Sequence, residues 1–278
     1  MHVIMSETDF VYCKDRYINT HSCNFNNHNR TGVLYEVIRI LDGVPLFLED
    51  HLERMFKSAE IAGTKEKLPD YETLETIIRG LISQNNKNTG NIQLNIDPLS
   101  EDGTDIFCGF IPHHYPTEED YRNGILTDFL FAERKNPEAK IIQKSLRMRA
   151  NEVIKEKELF EVLLVDRHHL VTEGSRSNVF IISGDTIFTA PLNMVLGGVT
   201  RRKAIDIING SGLKLIEKAW KYTELLEKAD ALFLTGTSPK IIPVAKCDGA
   251  RYDVENSVVR EIMIGYDKMI RKYTDAHR

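Results

Sequence analysis

Thr172-Glu173-Gly174-Ser175-Arg176-Ser177-Asn178-Val179-Phe180 is the stretch on which the reading of this chain turns. An apolar strand, Glu161-Val162-Leu163-Leu164-Val165, precedes it. Val179–Ile182 and Thr186–Thr189 follow as a hairpin around Ser183-Gly184-Asp185. A carboxylate followed by glycine and a polar turn, set among apolar strands, is either a plain hairpin turn or a charge aimed at a buried partner. Working outward from it decides between the two.

Val33–Leu41 is strand-like, Asp42-Gly43-Val44-Pro45 supplies a turn, and Leu46-Phe47-Leu48 reads as a short strand. Helical periodicity predicts helices from about Glu49 to Ile61, with Leu52, Met55, Phe56 and Ala59 on one face, and from Asp70 to about Gln84. Strands at Asn91–Ile96 and Asp105–Phe110 flank a polar loop, and His113–Glu119 reads as an interdomain connector interrupted by Pro116. Beyond it come a strand at Leu126–Phe131 and a helix from about Gln143 to Lys157. A helix follows Thr200, another starts near an N-cap at Thr223, and a strand covers Ala231–Thr235. A last helix runs from about Asn256 to Tyr273, and Trp220, the single tryptophan, reads as core. The expectation is a two-lobed α/β (α+β) protein, residues 1–115 and 116–278.

At 278 residues, with 42% hydrophobic and 28% charged residues, the chain is an ordinary globular composition with ample core. A net charge of -5 argues against a general nucleic-acid binder. Met1–Asp9 lacks the basic and apolar regions of a signal peptide, and no apolar run of membrane-spanning length occurs, so a cytoplasmic protein is expected. Cys13, Cys23, Cys108 and Cys247 form no CxxC; no metal-ligand spacing is present, and four reduced thiols are expected.

Four further segments, in chain order, bear on the opening motif. Glu49-Asp50-His51-Leu52-Glu53-Arg54-Met55 offers a cation; Asn136-Pro137-Glu138-Ala139-Lys140 offers an amine. Gly197-Gly198-Val199-Thr200-Arg201 opens a helix whose first amides and Thr200 hydroxyl suit an anion, and Leu234-Thr235-Gly236-Thr237-Ser238 ends a strand in hydroxyls. Together these resemble the class IV (fold-type IV) pyridoxal-phosphate (PLP) aminotransferases, which include branched-chain and D-amino-acid aminotransferases and aminodeoxychorismate lyase. The resemblance covers about residues 31–245. It implies a small N-terminal lobe and a larger C-terminal lobe with a barrel-like sheet, PLP between them, and a homodimer in which the partner closes each pocket. Lys140 would form the Schiff base and shuttle the proton, and Glu173 would face the pyridine nitrogen. Arg54, Val199, Thr200, Thr237 and Ser238 would hold the phosphate.

Lys144 competes with Lys140, because Lys144-Ser145-Leu146 resembles the Lys-Ser-Leu of D-amino-acid aminotransferases. Spacing favours Lys140: it lies 33 residues before Glu173, the family's usual separation, and choosing Lys144 would delete about one helical turn of ~3.6 residues. Substrate choice is less legible. Tyr35 matches a pocket-lining aromatic. The carboxylate-binding Arg and His of D-amino-acid aminotransferases are missing from Asp97–Gly103, where the chain is acidic. Branched-chain enzymes have an arginine where Gln93-Leu94-Asn95 stands and a tyrosine where Ser145 stands. Arg176 either binds a substrate carboxylate, or projects into solvent or pairs across an interface. The expected reaction is amino transfer between an amino acid and a 2-oxo acid. The alternatives are the pyruvate-releasing lyase that forms p-aminobenzoate, and a PLP-binding or structural dimer without turnover.

Overall fold

A computed structural model describes residues 8–23, 28–101 and 103–278; the Met1–Ser6 stretch and Glu7, read above for a signal peptide, lie outside the described residues. The chain divides into two compact units. The first comprises Met1–His114, Ala139–Gln143 and Ile270–Arg278; the second comprises Tyr115–Glu138 and Lys144–Met269. These are not the two unbroken stretches expected, since a five-residue piece carrying Lys140 and the chain's last nine residues count with the first unit.

In the first unit, β1 (Phe10–Cys13), β2 (Arg16–Asn19), β3 (Leu34–Leu41), β4 (Val44–Pro45), β5 (Gly90–Ser100) and β6 (Gly103–Ile111) form one sheet in the order β2-β1-β6-β5-β3-β4. Helices α1 (Leu48–Ile61) and α2 (Tyr71–Asn85) cover it. Alternation along β3 and β5 turns Ile38, Ile40, Ile92, Leu94 and Ile96 into one apolar cluster with Leu52, Met55, Leu74 and Ile78 of the helices. Burying such a side chain contributes about 1.5–3 kcal/mol, so this contact holds the helices to the sheet. Leu46–Leu48 is a turn and helix start instead of a strand. Phe47 adopts φ 53°, ψ 42°, which no strand accommodates, and its ring packs 4.8 Å from Tyr273. The loop expected at Asp97–Thr104 is largely strand, because β5 and β6 stay paired out to Ser100 and Gly103.

Ala139–Gln143 docks on the start of β3. Tyr35 N donates to Lys140 O at 3.1 Å, Gly32 N to Ile142 O at 3.1 Å, and Ile142 N to Val33 O at 3.0 Å. These backbone bonds explain why Lys140 belongs to the first unit.

The second unit contains α3 (Glu118–Asn123), β7 (Ile125–Phe131), α4 (Lys144–Glu156), β8 (Glu161–Val165), β9 (Leu170–Gly174), β10 (Asn178–Ser183), β11 (Thr186–Thr189), α5 (Val199–Gly210), β12 (Lys214–Glu217), β13 (Trp220–Lys221), α6 (Tyr222–Lys228), β14 (Ala231–Gly236), β15 (Lys240–Cys247), β16 (Ala250–Arg251) and the greater part of α7 (Ser257–Ala276). Strands run β10-β14-β15-β7-β8-β9, and the Glu173–Asn178 pairing of β9 with β10 closes this ring of six into the expected barrel-like sheet. Leu163, Val165, Val179, Ile181, Leu232, Leu234, Ile242 and Val244 share one core cluster, which Trp220 joins. Val162 and Leu164 face the other way, onto Leu146 and Ala150 of α4. Thr223 lies inside α6, whose N-cap is Lys221, so the expected cap there is corrected by two residues.

Candidate active site

Three of the expected site residues meet in the first unit. Glu36 points from β3 into a fully buried position, where Arg54 of α1 grips it with Nε–Oε1 at 2.7 Å and Nη2–Oε2 at 2.6 Å. His51, one turn earlier on the same helix, lies 2.8 Å from Oε2 through Nδ1. Burial by itself raises a carboxylic acid's pKa, but Arg54 and then His51 hold Glu36 at about 2, against 4.5 ordinarily. A carboxylate of that kind only accepts, so Nδ1 of His51 carries the proton and donates. Burial lowers the pKa of His51 first and most, with Arg54 and Lys140 adding to it against the pull of Glu36. His51 is therefore the neutral donor that orients the carboxylate, and Glu36 in turn orients the guanidinium of Arg54.

Lys140 N donates to Ser58 Oγ at 3.0 Å, and Ser58 Oγ donates to Arg54 O at 2.8 Å. The buried hydroxyl thus ties the lysine segment to the helix that carries Arg54. Lys140 Nζ stands 4.5 Å from the centroid of the Tyr35 ring, a cation–π distance, and the ring is itself buried. Lys144, the competitor, is the exposed first residue of α4.

The second unit gathers the rest. Glu173 is 2% exposed. Its Oε1 accepts from Arg134 Nε at 2.7 Å; its Oε2 accepts from Leu196 N at 3.1 Å and Asn178 Nδ2 at 3.4 Å. A carboxylate offers about four acceptor positions, so three donors leave room for one more. Asn178 also donates to Leu196 O at 2.9 Å, which links the glutamate to the loop ahead of α5. That loop needs Gly198: a Cβ there would stand 2.1 Å from Asn178 Oδ1. The turn between β9 and β10 hangs on a second buried carboxylate, Glu161. It accepts from Ser175 Oγ at 2.6 Å, Arg176 N at 3.0 Å and Ser177 Oγ at 3.1 Å.

Helix α5 starts at Gly198 without a side-chain cap, so its first amides are turned outward from the helix ladder. Val199 and Thr200 are buried there, and Thr200 Oγ1 lies 3.4 Å from Tyr266 OH. Arg201 turns inward onto Glu217 at 2.8 Å and Ala190 O at 3.0 Å, which pins the first turn. The helix packs on β14 and β15, whose connecting turn carries Thr237 and Ser238, both half-buried. Thr235, paired with Asn178 across β14 and β10, keeps its Oγ1 buried with no hydrogen-bond partner among the described residues. Arg176 is exposed, with its guanidinium on Asn151 of α4.

The family model for amino-transferase class IV matches residues 33–247. The chain belongs to the class IV aminotransferases. A D-alanine aminotransferase from Bacillus licheniformis is 31% identical over 229 residues, covering 78% of this chain and 79% of that protein. In fold, the chain is similar to the branched-chain aminotransferase of Thermoproteus uzoniensis solved with norvaline, with TM-score 0.83, 22% identity and 97% of each chain covered. The Escherichia coli branched-chain aminotransferase follows with TM-score 0.80, 21% identity and 95% of each chain covered. An enzyme of the class IV aminotransferase type is the consequence.

Sequence reasoning passed over Glu36, His51, Arg134, Glu161 and Asn178. Asn178 was in view as the end of the Glu-Gly-polar-polar-polar-Asn pattern. Glu36 and Glu161 had one available signal, an acidic residue inside or opening an apolar strand, which burial makes costly unless it is paired.

Proposed function

We propose that this class IV aminotransferase uses pyridoxal 5′-phosphate to move an amino group from an amino acid to a 2-oxo acid. The spare acceptor position on Glu173 carries the reading: a buried carboxylate already held by Arg134, Asn178 and Leu196 suits one further N–H, such as a protonated pyridine nitrogen. The donor set fits the other end of the cofactor as well. In the second unit, the uncapped amides at Val199 and Thr200, the Thr200 hydroxyl, and the Thr235 hydroxyl, which has no hydrogen-bond partner among the described residues, beside Thr237 and Ser238 are what a phosphate group needs. Arg54 of the first unit, a cation oriented by Glu36, is assigned to the phosphate on the family resemblance.

PLP, when bound, supplies an electron sink that stabilises negative charge at the amino acid's Cα. Lys140 contributes the amine that holds the cofactor and then carries the proton at Cα. Tyr35 fixes where its Nζ rests, and Ser58 fixes its backbone. Glu173 keeps the ring nitrogen charged, and Arg134 and Glu161 hold the glutamate and its turn in place. Arg176 is the candidate ligand for the substrate carboxylate; reaching one requires it to leave Asn151. The working form proposed is a homodimer.

Incubating the PLP-loaded enzyme with D-alanine or with branched-chain L-amino acids, each with 2-oxoglutarate, tests the reading. A 2-oxo acid formed from the donor, in step with glutamate, supports it. Pyruvate released from aminodeoxychorismate without any acceptor assigns the chain to the lyase reaction instead. Absence of turnover in every pairing leaves a PLP-binding or structural dimer.

A further inference from the structure

Apart from the residues assigned to amino transfer, the first unit gathers two thiols, an imidazole and a carboxylate at one place. Cys13 ends β1, Cys23 follows the 3-10 turn Thr20–Ser22, and His28 and Asp105 complete the group. The Sγ atoms of Cys13 and Cys23 and a ring nitrogen of His28 all lie within 4.8 Å of one another, with Cys13 Sγ 3.3 Å from His28 Nε2. We propose that Cys13, Cys23 and His28 bind a zinc ion, with Asp105 orienting the imidazole from behind.

Three features of the arrangement support a metal over buried thiols that merely pack. A tetrahedral zinc with bonds of about 2.3 Å to sulfur and about 2.0–2.1 Å to nitrogen separates an S and an N ligand by about 3.5 Å, close to what Cys13 and His28 show. His28 presents Nε2 to Cys13 Sγ while Nδ1 lies 2.7 Å from Asp105 Oδ2, a close contact set off the line of a good hydrogen bond. Zinc-bound histidines regularly have a carboxylate behind the other ring nitrogen, where it fixes the tautomer and raises the ring's basicity. The position is also built. Asn95 Nδ2 donates to the His28 carbonyl at 2.6 Å, and the ring stacks on Phe107 at 5.3 Å. Phe107 is the partner of Cys13 across β1 and β6, and Val11 and Ile18 complete an apolar wall. Two thiolates, one imidazole and an apolar shell select a soft, thiophilic ion over magnesium or calcium. Three protein ligands leave a fourth coordination position for water.

Cobalt(II) is the probe, titrated into the full-length protein after reduction and chelator treatment, with absorbance read in the thiolate-to-cobalt charge-transfer and visible regions. One equivalent of cobalt should produce both the thiolate band and the intense visible bands of a tetrahedral ion, and zinc should displace it. Cys23→Ser and His28→Ala should each lose that signature. Asp105→Asn should retain it with affinity weakened by about 10–100-fold, as carboxylates behind a ligating histidine do. Cys23 is only half-buried, so Cys23→Ser is expected to fold, with circular dichroism and thermal unfolding as the check. A reduced, folded wild type that gives no thiolate band overturns the proposal. So does a Cys23→Ser protein that binds cobalt as the wild type does, or a wild type whose cysteines are recovered only as a Cys13–Cys23 disulfide. None of these readouts depends on amino transfer, so this proposal and the proposed function fail separately.

Discussion

Two buried carboxylates decide how the expected site residues are held, and each has a test. Glu36→Gln removes the charge that Arg54 grips and His51 donates to. Breaking a buried pair from one side costs about 3–5 kcal/mol, so denaturant unfolding of this variant should show a loss of that order. PLP affinity should fall with it, because the guanidinium loses its orientation. Unchanged stability would mean that Arg54 finds another partner at no cost. Glu173→Gln keeps the shape and the acceptor but leaves Arg134 facing a neutral amide. Losing one preorganised polar partner of the reacting group, such as an oxyanion-hole donor, costs about 10²–10³-fold in kcat, and a loss of that order is expected here, with substrate KM little changed. A variant at wild-type kcat would remove Glu173 from the chemistry. Lys140 and Glu173 stand out as candidates in the sequence because each sits in a short motif at a set spacing. Their supports do not, since an arginine in a polar loop and a glutamate opening a strand show their partners only once the chain is folded.

Between elements, the point of greatest constraint is the approach of the Leu196–Gly198 loop to Asn178. Gly198→Ala would drive a Cβ to 2.1 Å from Asn178 Oδ1, so the start of α5 must shift. Overpacking of this kind costs about 1–3 kcal/mol. The same shift displaces the amides proposed to meet phosphate, so PLP affinity should fall by about tenfold or more while the barrel core, including the Phe180–Phe233 stack at 4.7 Å, stays intact. Thermal unfolding and PLP titration of one preparation check both; wild-type affinity would place the phosphate elsewhere. Most helices and buried strands were readable from apolar periodicity. The failures share a cause, which is that pairing partners distant in sequence override local pattern. Phe47 leaves the strand region to pack on Tyr273, 226 positions later, and the hydroxyl of that tyrosine accepts from Leu48 N at 3.2 Å. Lys240–Cys247 is a strand because β14 and β7 flank it, and its single proline at 243 is tolerated opposite Phe233.

For the molecule as a whole, acid sensitivity follows from Glu36 and His51. Glu36 titrates at about 2 in the folded chain and at 4.5 when unfolded, so the stability it contributes is complete above 4.5 and is lost as pH falls toward about 2. His51, held below its ordinary 6.5, adds to the same slope: the unfolded chain takes up a proton below 6.5 that the folded chain resists. Both groups make the unfolded state the better proton binder, so unfolding free energy should decline as pH is lowered from about 6.5. Replacing His51 with Gln should flatten the upper part of that decline, and a slope that stays the same would assign it to other groups. Closure of the six-strand barrel was expected in outline from the family resemblance. The attachment of Ala139–Gln143 to β3 was not, because it rests on main-chain hydrogen bonds that carry no side-chain pattern.

The claim on which the rest depends is that Lys140 is the lysine that bonds the cofactor. Borohydride reduction of the PLP-loaded enzyme, followed by proteolysis and mass spectrometry, locates the pyridoxyl group on a single residue. The account predicts the label on Lys140, and its loss in Lys140→Ala while Lys144→Ala keeps it. A label on Lys144, or no label on any lysine of the loaded protein, would contradict it.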